Sequence, residues 1–332
     1  MGYIYTKSGK LAKRLYFGAV LLFEGLYYTF KNRVLADEGT FVENELPTIS
    51  QDAKLVLTPN AYKSGKLYSA VPNDGTGDFT VDRNSTATYI GQDGLIKTAL
   101  ANVPRIDWST GEAAVLVEPQ RTNLVTYSEP VSGSQVTSFS GVNFLSYNWL
   151  NGFTNCIRYN ITTGTVFCKV GLSQSSAVYT LSAFIIMDDF SKPSFGETSA
   201  NDAYMRLATI KATSYRYTDC GNNIWRVEGT ATTGTSNDVG FLLSNDIQKI
   251  STHSNKEFRV VGWQLEQASK PLSYIPTNGS TVTRLADDIS VPTPAGVTAI
   301  TETIDGVEQD PITTIPPTYS LPVGNINKIT ML

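Results

Sequence analysis

The alternation of apolar and polar positions between residues 78 and 129 predicts short, paired β-strands. Phe79 and Val81 alternate with polar neighbours, which is the period of a strand with one face buried. The alternation ends at Pro119, which cannot donate a backbone hydrogen bond and therefore does not continue a central strand.

Two hairpins are predicted within this stretch. Residues 86–90 are rich in β-branched and aromatic side chains, and the turn sequence GQDG separates them from Leu95 and Ile96. Residues 105–108 and 114–117 flank the turn sequence STGE in the same way.

Apolar stretches of strand length recur between residues 135 and 290. Turn sequences rich in Gly and Asn separate them, and no helical pattern lies between them. Such a series indicates an antiparallel sandwich or jelly roll. Trp225 and Val227 alternate with Arg226 and Glu228, which favours a core position for Trp225. The strand candidates are residues 166–170, 178–187, 204–210, 224–230, 239–243 and 258–265.

The N-terminal residues 7–35 carry the one strong helical pattern of the chain. Their apolar residues recur at spacings of three or four and form two stripes. A signal peptide is disfavoured because no small-residue cleavage site follows Leu26, and a membrane span is disfavoured because the uncharged run at 15–23 is too short. We expect an anchor or oligomerisation helix over residues 1–36, with packing against the chain's own sandwich as the alternative. The expected assembly residues are Leu11, Leu15, Leu22 and Leu26.

These patterns predict a mainly β protein, in which an antiparallel jelly-roll β-sandwich is preceded by β-hairpins and by one long N-terminal α-helix. The expected order is a helix at 1–36, an extended connector at 37–72, β-hairpins at 73–128, the sandwich at 129–290, and a C-terminal β arm or small β unit at 291–332.

Composition narrows the class of protein further. The chain has 332 residues, of which 41% are hydrophobic and 17% charged, which indicates a folded protein. Its formal net charge of −4 gives no general attraction to nucleic acid or to an anionic membrane, so neither is expected as a partner. Cys156, Cys168 and Cys220 form no CxxC pair, and we expect them to be small buried residues of a protein folded in a reducing cytoplasm.

The sequence shows no recognisable catalytic or metal centre. The single histidine, His253, lies in a polar loop without a nucleophile elbow or second ligand in sequence. Adjacent carboxylates at 188–189 and 287–288 point to opposite faces of a strand, and we expect solvated turn residues there. The loop that contains Asp74 and Asp78 is a calcium candidate, with a glycine-rich turn as the alternative. We therefore expect no enzyme activity, no cofactor and no obligatory metal.

Several short sequence motifs follow one another in an order that is typical of one protein family. They are GDFTVDR, DGLI, NVPRIDW and EPQRTNL followed by YSE, and later QLE, SYIPT, VTR and AD, over about residues 73–290. In this order they resemble a segment of tailed-bacteriophage virion proteins, of the head-fibre or tail-fibre type. The resemblance implies a lectin-like, carbohydrate-binding-module-like β-sandwich that the later motifs close. The first 72 and last 42 residues lie outside it.

The same region resembles carbohydrate-binding jelly rolls, which implies that Trp225 packs in the core; Trp263 is also expected there. A sugar platform needs an exposed flat aromatic ring with polar groups beside it. For each candidate, the alternative is a ring in the core or in a subunit contact. The candidates are Trp149, Phe153, Tyr215 and Tyr217, which lie in loops with Asn, Ser or Arg.

The resemblance implies a structural virion protein, an appendage such as a head fibre, tail fibre or baseplate component, assembled in the bacterial cytoplasm. Its expected partners are itself, with a trimer favoured, and other virion proteins, with host-surface polysaccharide as a further candidate. Many copies would multiply weak glycan contacts. The alternatives are a capsid-decorating or connector protein without sugar binding, and a virion enzyme that cleaves polysaccharide.

Overall fold

A computed structural model describes most of the chain. The described residues are 33–35, 41–43, 52–72, 76–149, 151–160, 164–171, 176–195, 204–207, 210–233, 238–245 and 257–332. The chain divides into two compact units, residues 1–53 with 332, and residues 54–331. In the first unit the structure describes one antiparallel hairpin, Arg33–Leu35 with Phe41–Glu43.

Almost all regular structure in the described residues is β. In chain order the strands are β1 Arg33–Leu35, β2 Phe41–Glu43, β3 Leu55–Leu57, β4 Tyr62–Lys63, β5 Lys66–Leu67, β6 Thr80–Asp82, β7 Ala87–Ile90, β8 Ile96–Ala99, β9 Ile106–Asp107, β10 Ala114–Val117, β11 Arg121–Asn123, β12 Ser138–Ser140, β13 Val142–Ser146 and β14 Asn155–Tyr159. They continue with β15 Gly164–Gly171, β16 Ala177–Met187, β17 Tyr204–Leu207, β18 Ile210–Lys211, β19 Ser214–Asp219, β20 Trp225–Thr233, β21 Asp238–Asn245, β22 Phe258–Glu266, β23 Val282–Arg284, β24 Asp288–Pro292, β25 Ile300–Ile304, β26 Val307–Glu308, β27 Thr318–Ser320 and β28 Gly324–Met331. Two short 3-10 turns, Pro59–Ala61 and Gly133–Gln135, complete the set.

The predicted fold class was wrong in its helix. No α-helix occurs among the described residues, and Arg33–Leu35, which lie within the predicted helix at 1–36, form strand β1. β-Branched Val34 pairs directly with Val42 across this hairpin, a pairing that helical spacing of the upstream residues does not reveal. Residues 1–32, and with them Leu11, Leu15, Leu22 and Leu26, lie outside the described residues. The jelly roll is not confirmed, whereas the mainly β class is.

Two antiparallel sheets share the largest core, as in a sandwich. One sheet has the order β12-β15-β21-β17-β18, and the other has the order β13-β14-β22-β16-β20-β19. Alternate residues of the long central strand β16, such as Leu181 and Ile185, point into the core between the sheets and are fully buried there. Trp263 lies in this core as predicted, and Trp225 is half-buried at its margin.

The β22 strand contains a bulge that places Val260 and Trp263 on the same face. Its pairing with β16 shifts by one residue between Ser182 and Phe184. Opposite the shift, Gly262 adopts a φ of +66°. Because of the extra residue, Val260 before the bulge and Trp263 after it both point into the sandwich core.

A second β module is built from segments at both ends of the residue 54–331 unit. Strand β28 pairs with β25 on one side and with β10 and β3 on the other. Strands β6, β24 and β27 form a three-stranded sheet beside it. The two sheets contribute to one buried core, in which Leu57, Val115 and Ile329 lie together with Ile289.

Both hairpins predicted for residues 86–96 and 105–117 are confirmed as β7–β8 and β9–β10. Among the described residues no helix is long and apolar enough to cross a membrane.

Cys156 and Cys168 are buried free thiols, and burial raises their pKa values to about 11 and about 12. Both therefore stay protonated at neutral pH, as expected of small core residues.

Candidate functional site

Two of the predicted sugar-binding aromatics lie in a third apolar cluster. Trp149 and Phe153 are 2% and 5% exposed, and their rings meet edge to face at 6.3 Å. Phe153 also packs against Phe184 and Tyr274, with ring centroids 5.2 and 5.3 Å away. The Trp149 indole nitrogen donates to the Asn155 carbonyl at 2.8 Å. In this structure both rings serve the packing behind β16 rather than an open surface.

The other two predicted aromatics lie on the edge strand β19. Tyr215 and Tyr217 are half-buried, and their rings are nearly parallel, with centroids 6.4 Å apart. The Tyr217 hydroxyl accepts a hydrogen bond from the Phe195 amide at 2.8 Å, and the Lys192 ammonium lies 5.2 Å from its ring centroid. The loop that contains Lys192 and Phe195 thus contacts Tyr217 at both its ring and its hydroxyl.

The calcium candidate lies only partly within the described residues. Asp74 lies outside the described residues, as does His253, and Asp78 is half-buried with one carboxylate oxygen unpaired. No group of three or more His, Cys, Asp or Glu side chains among the described residues is arranged to hold a metal.

The paired carboxylates differ from one another. Asp188 accepts hydrogen bonds from Arg158 at 2.7 Å and from Arg259 at 2.5 Å, in a partly exposed ion-pair cluster. Asp288 is exposed, whereas the Asp287 side chain is completely buried. The expectation of a solvated turn residue was wrong for Asp287, because its charge is balanced inside the protein.

Residues of the family-like motifs meet in a buried charge cluster around Asp287. Arg83 and Arg105 both donate to the Asp287 carboxylate, the first at 2.7 Å. Arg105 also donates to Glu118 at 2.7 Å, and Arg284 lies 3.5 Å from Glu118 and 3.7 Å from Asp287. All five residues are less than a tenth exposed. This charge cluster joins the hairpin segment, residues 73–128, to the later part of the chain that carries the VTR and AD motifs.

Burial and charge oppose each other within the charge cluster. Burial favours a protonated Glu118, yet attraction to Arg105 and Arg284 and hydrogen bonds from Ser273 outweigh it, so the pKa of Glu118 is lowered. Burial lowers the pKa of Arg284. Glu266, nearby on β22, has a raised pKa because burial outweighs its hydrogen bond from Gln264. These side chains are buried, and we assign the cluster to holding the fold together.

Other motif residues serve the same closure. The Asn123 amide donates to the Trp263 and Ile275 carbonyls at 3.1 and 2.8 Å, and its oxygen accepts from the Leu265 amide at 3.1 Å. The Tyr274 hydroxyl donates to Ser128 at 2.7 Å. The motifs are therefore explained by internal hydrogen bonds and ion pairs, and they mark an architecture rather than a surface site.

An open surface cleft of about 690 Å³ lies where the 3-10 turn Pro59–Ala61 meets the β7–β8 and β9–β10 hairpins. Its volume lies within the range of small-molecule and sugar sites, and it is open to solvent rather than enclosed. We call it the aromatic cleft. Its lining residues are Pro59, Asn60, Tyr62, Tyr89, Gly91, Gln92, Asp93, Lys97, Ile106 and Trp108.

Three structural elements place the rings of the aromatic cleft. Tyr62 begins the β4–β5 hairpin and is 37% exposed. Tyr89 lies in β7, directly opposite Lys97 of β8. Trp108 follows β9, and its amide donates to the Ile90 carbonyl at 2.9 Å. Tyr89 and Trp108 are half-buried, so each ring is anchored in the protein and still reaches the cleft.

A buried carboxylate fixes the position of Trp108. Asp107 is 4% exposed and accepts hydrogen bonds from the amides of Ile90 at 2.7 Å and Ser109 at 2.8 Å. These bonds hold the residues on either side of Trp108 against β7. The indole is thereby presented from a rigid support, which suits a binding site.

The polar groups of the aromatic cleft come from the β7–β8 turn and the 3-10 turn. The Lys97 ammonium donates to Asp93 at 2.7 Å. This hydrogen bond, together with a second one from the Leu95 amide, lowers the pKa of Asp93. A side chain at Gly91 would meet the Asp93 carboxylate at 2.8 Å and the Lys97 stem at 3.0 Å. Asn60 and Gln92 are exposed amides at the same site. Burial raises the pKa of Tyr89, so its hydroxyl remains a hydrogen-bond donor.

The sequence prediction missed the aromatic cleft. Ile106 and Trp108 both line it, while Asp107 between them points inward, so strand alternation was the available signal. Tyr62 and Tyr89 come from other hairpins, and their convergence with Trp108 depends on how those hairpins pack.

Comparisons with known proteins add little beyond this geometry. No protein-family model matches the chain, and no curated protein sequence matches it. Among solved structures, the CBM22-1 xylan-binding domain from Paenibacillus barcinonensis Xyn10C is similar over 45% of this chain and 94% of that chain, with 9% identity and a TM-score of 0.28. We carry neither that domain's ligand nor its residues over to this chain. The phage-virion assignment stays a prediction.

Proposed function

We propose that this chain is a noncatalytic structural protein of a tailed-phage virion that binds host-surface glycan through the aromatic cleft. The observation that carries the proposal is the convergence of Tyr62, Tyr89 and Trp108 on one open cleft with amide and charged side chains beside them. Sugar rings pack their C–H faces on aromatic rings, and their hydroxyls need hydrogen-bonding groups at the margin.

Binding without cleavage is supported by the charges of the aromatic cleft. Glycoside hydrolysis needs two carboxyl groups that face each other across the bond. Among the described residues that line the cleft, Asp93 is the only carboxylate, and Lys97 holds it in an ion pair. A virion enzyme that cleaves polysaccharide is the alternative, and release of reducing ends would identify it.

The virion role is supported by the order of the motifs in the sequence. Those motifs build the buried charge cluster, which joins two distant parts of the chain. An appendage present in many copies multiplies weak individual affinities by about 10²–10⁴ when its sites engage together. An open cleft with a few aromatic contacts is adequate for that mode of attachment.

Trp108→Ala is expected to weaken binding of the full chain to immobilised bacterial surface polysaccharide by about tenfold or more, the equivalent of about 1.4 kcal/mol. The measurement is surface-based binding with a panel of polysaccharides. The matched control is Phe190→Ala, which removes an aromatic ring that is 61% exposed and does not line the cleft.

Equal binding by the Trp108 and Phe190 variants would show that the aromatic cleft is not the glycan site. Absence of binding to every polysaccharide by the unaltered chain would favour the capsid-decorating or connector role. Melting temperatures of both variants are measured first, so that a loss of binding is not a loss of folding.

A further inference from the structure

The charged groups of the aromatic cleft cancel each other. Asp93 and Lys97 carry the only carboxylate and the only ammonium group among the described lining residues, and they form an ion pair at 2.7 Å with side chains 50% and 40% exposed. The remaining polar lining groups, Asn60, Gln92 and the two tyrosines, are neutral. The cleft thus offers hydrogen bonds and flat rings but no uncompensated charge.

We infer that the ligand class of the aromatic cleft is a neutral polysaccharide, bound along the interior of its chain. This inference rests on the proposed glycan-binding function and names its ligand. An acidic sugar would have to take Lys97 from Asp93, and it would bring its own carboxylate close to that of Asp93. The two carboxylates would repel each other, whereas a neutral sugar hydroxyl accepts or donates a hydrogen bond without disturbing the ion pair of Asp93 and Lys97.

The open form of the cleft favours the interior of a chain over its end. A terminal sugar is selected by a pocket that encloses it on several sides. Here the lining comes from the 3-10 turn and from the β7–β8 and β9–β10 hairpins, and the cleft is open to solvent. A sugar that lies against the rings is not enclosed, so the polysaccharide chain can continue beyond the cleft.

The test uses the full chain with two sets of probes. The neutral probes are dextran and galactomannan, and the acidic probes are polygalacturonate and hyaluronan, each at about 0.05 and 0.5 M NaCl. We expect retention by a neutral probe, loss of that retention in Trp108→Ala, and a change of less than about twofold between the two salt concentrations, because no net charge pairs with the ligand.

Asp93→Asn supplies the second arm, because it frees the Lys97 ammonium. This variant is expected to gain retention on an acidic probe, and that gain should fall at high salt. Retention of the unaltered chain on acidic probes alone, lost in Trp108→Ala, would overturn the neutral class and leave the proposed function in place. If the unaltered chain binds none of the probes and no bacterial surface polysaccharide, both the neutral ligand class and the proposed glycan-binding function are overturned.

Discussion

At the scale of single residues, the side chains that make the sequence recognisable are buried. Arg83, Arg105 and Asp287 come from separate motifs and form one ion-paired group with Glu118 and Arg284. A buried charge is tolerated only with a partner, so each of these residues requires the others. Their side chains hold two segments of the chain together and leave the surface to other residues.

Asp287→Asn is expected to lower the free energy of unfolding by about 3–5 kcal/mol, because it removes the carboxylate that pairs with buried Arg83 and leaves buried Arg105 with Glu118 as its remaining charged partner. Urea denaturation followed by tryptophan fluorescence measures the change. Asp93→Asn is the control, since it breaks an exposed ion pair and should leave the midpoint unchanged. Equal midpoints for the two variants would contradict a structural role of the charge cluster.

At the scale of elements, the bulge in β22 sets which residues face the sandwich core. Without it, Trp263 and Leu265 would point away from the core that Phe258 and Val260 enter, because side chains alternate along a strand. Gly262 permits the bulge for two reasons. Its φ is +66°, and a Cβ there would lie 2.8 Å from Phe184 and 2.9 Å from Phe153.

Gly262→Ala is expected to destabilise the protein by about 2–4 kcal/mol, from backbone strain at a positive φ together with overpacking against the two phenylalanines. Gly94→Ala is the matched control. Gly94 has a φ of +75° with no heavy atom within 4 Å of the added Cβ, so it reports strain alone. Thermal unfolding of both variants separates the two contributions, and equal effects would show that the contact with the phenylalanines is unimportant.

The local elements were predictable, and their partners were not. The β7–β8 and β9–β10 hairpins follow from turn residues that lie between short apolar runs, so the sequence pattern locates them. The pairing of Leu57 with Ile329 joins residues far apart in sequence, and no pattern in either strand specifies the other. The aromatic cleft was missed for the same reason, because Tyr62 and Trp108 meet through packing.

At the scale of the whole unit, the last strand completes a sheet that starts with the first. Strand β28 lies between β25 on one side and β10 and β3 on the other, and Ile326, Ile329 and Met331 are fully buried. Strand β10 also pairs with β9, which leads to Trp108. The integrity of the aromatic cleft therefore depends on residues near the end of the sequence.

Ending the chain after Leu321 is expected to abolish glycan binding and to make residues 54–118 sensitive to protease. The three buried side chains of β28 contribute about 5–9 kcal/mol of burial, comparable with the whole stability of a domain. Limited proteolysis with mass spectrometry measures the change. Val323→Ala, which alters a side chain that is 61% exposed, serves as the control and should behave like the unaltered chain. A protease-resistant truncated chain would contradict the role of β28.

The same sheet brings the two ends of the residue 54–331 unit together, since the Lys54 amide donates to the Met331 carbonyl at 2.8 Å. Polypeptide enters and leaves this unit at one point. The unit can therefore be inserted into a surface loop of another protein through two short linkers without being stretched. For the same reason its native ends can be joined and new ones opened elsewhere, which makes it suitable for circular permutation and for display on an unrelated scaffold.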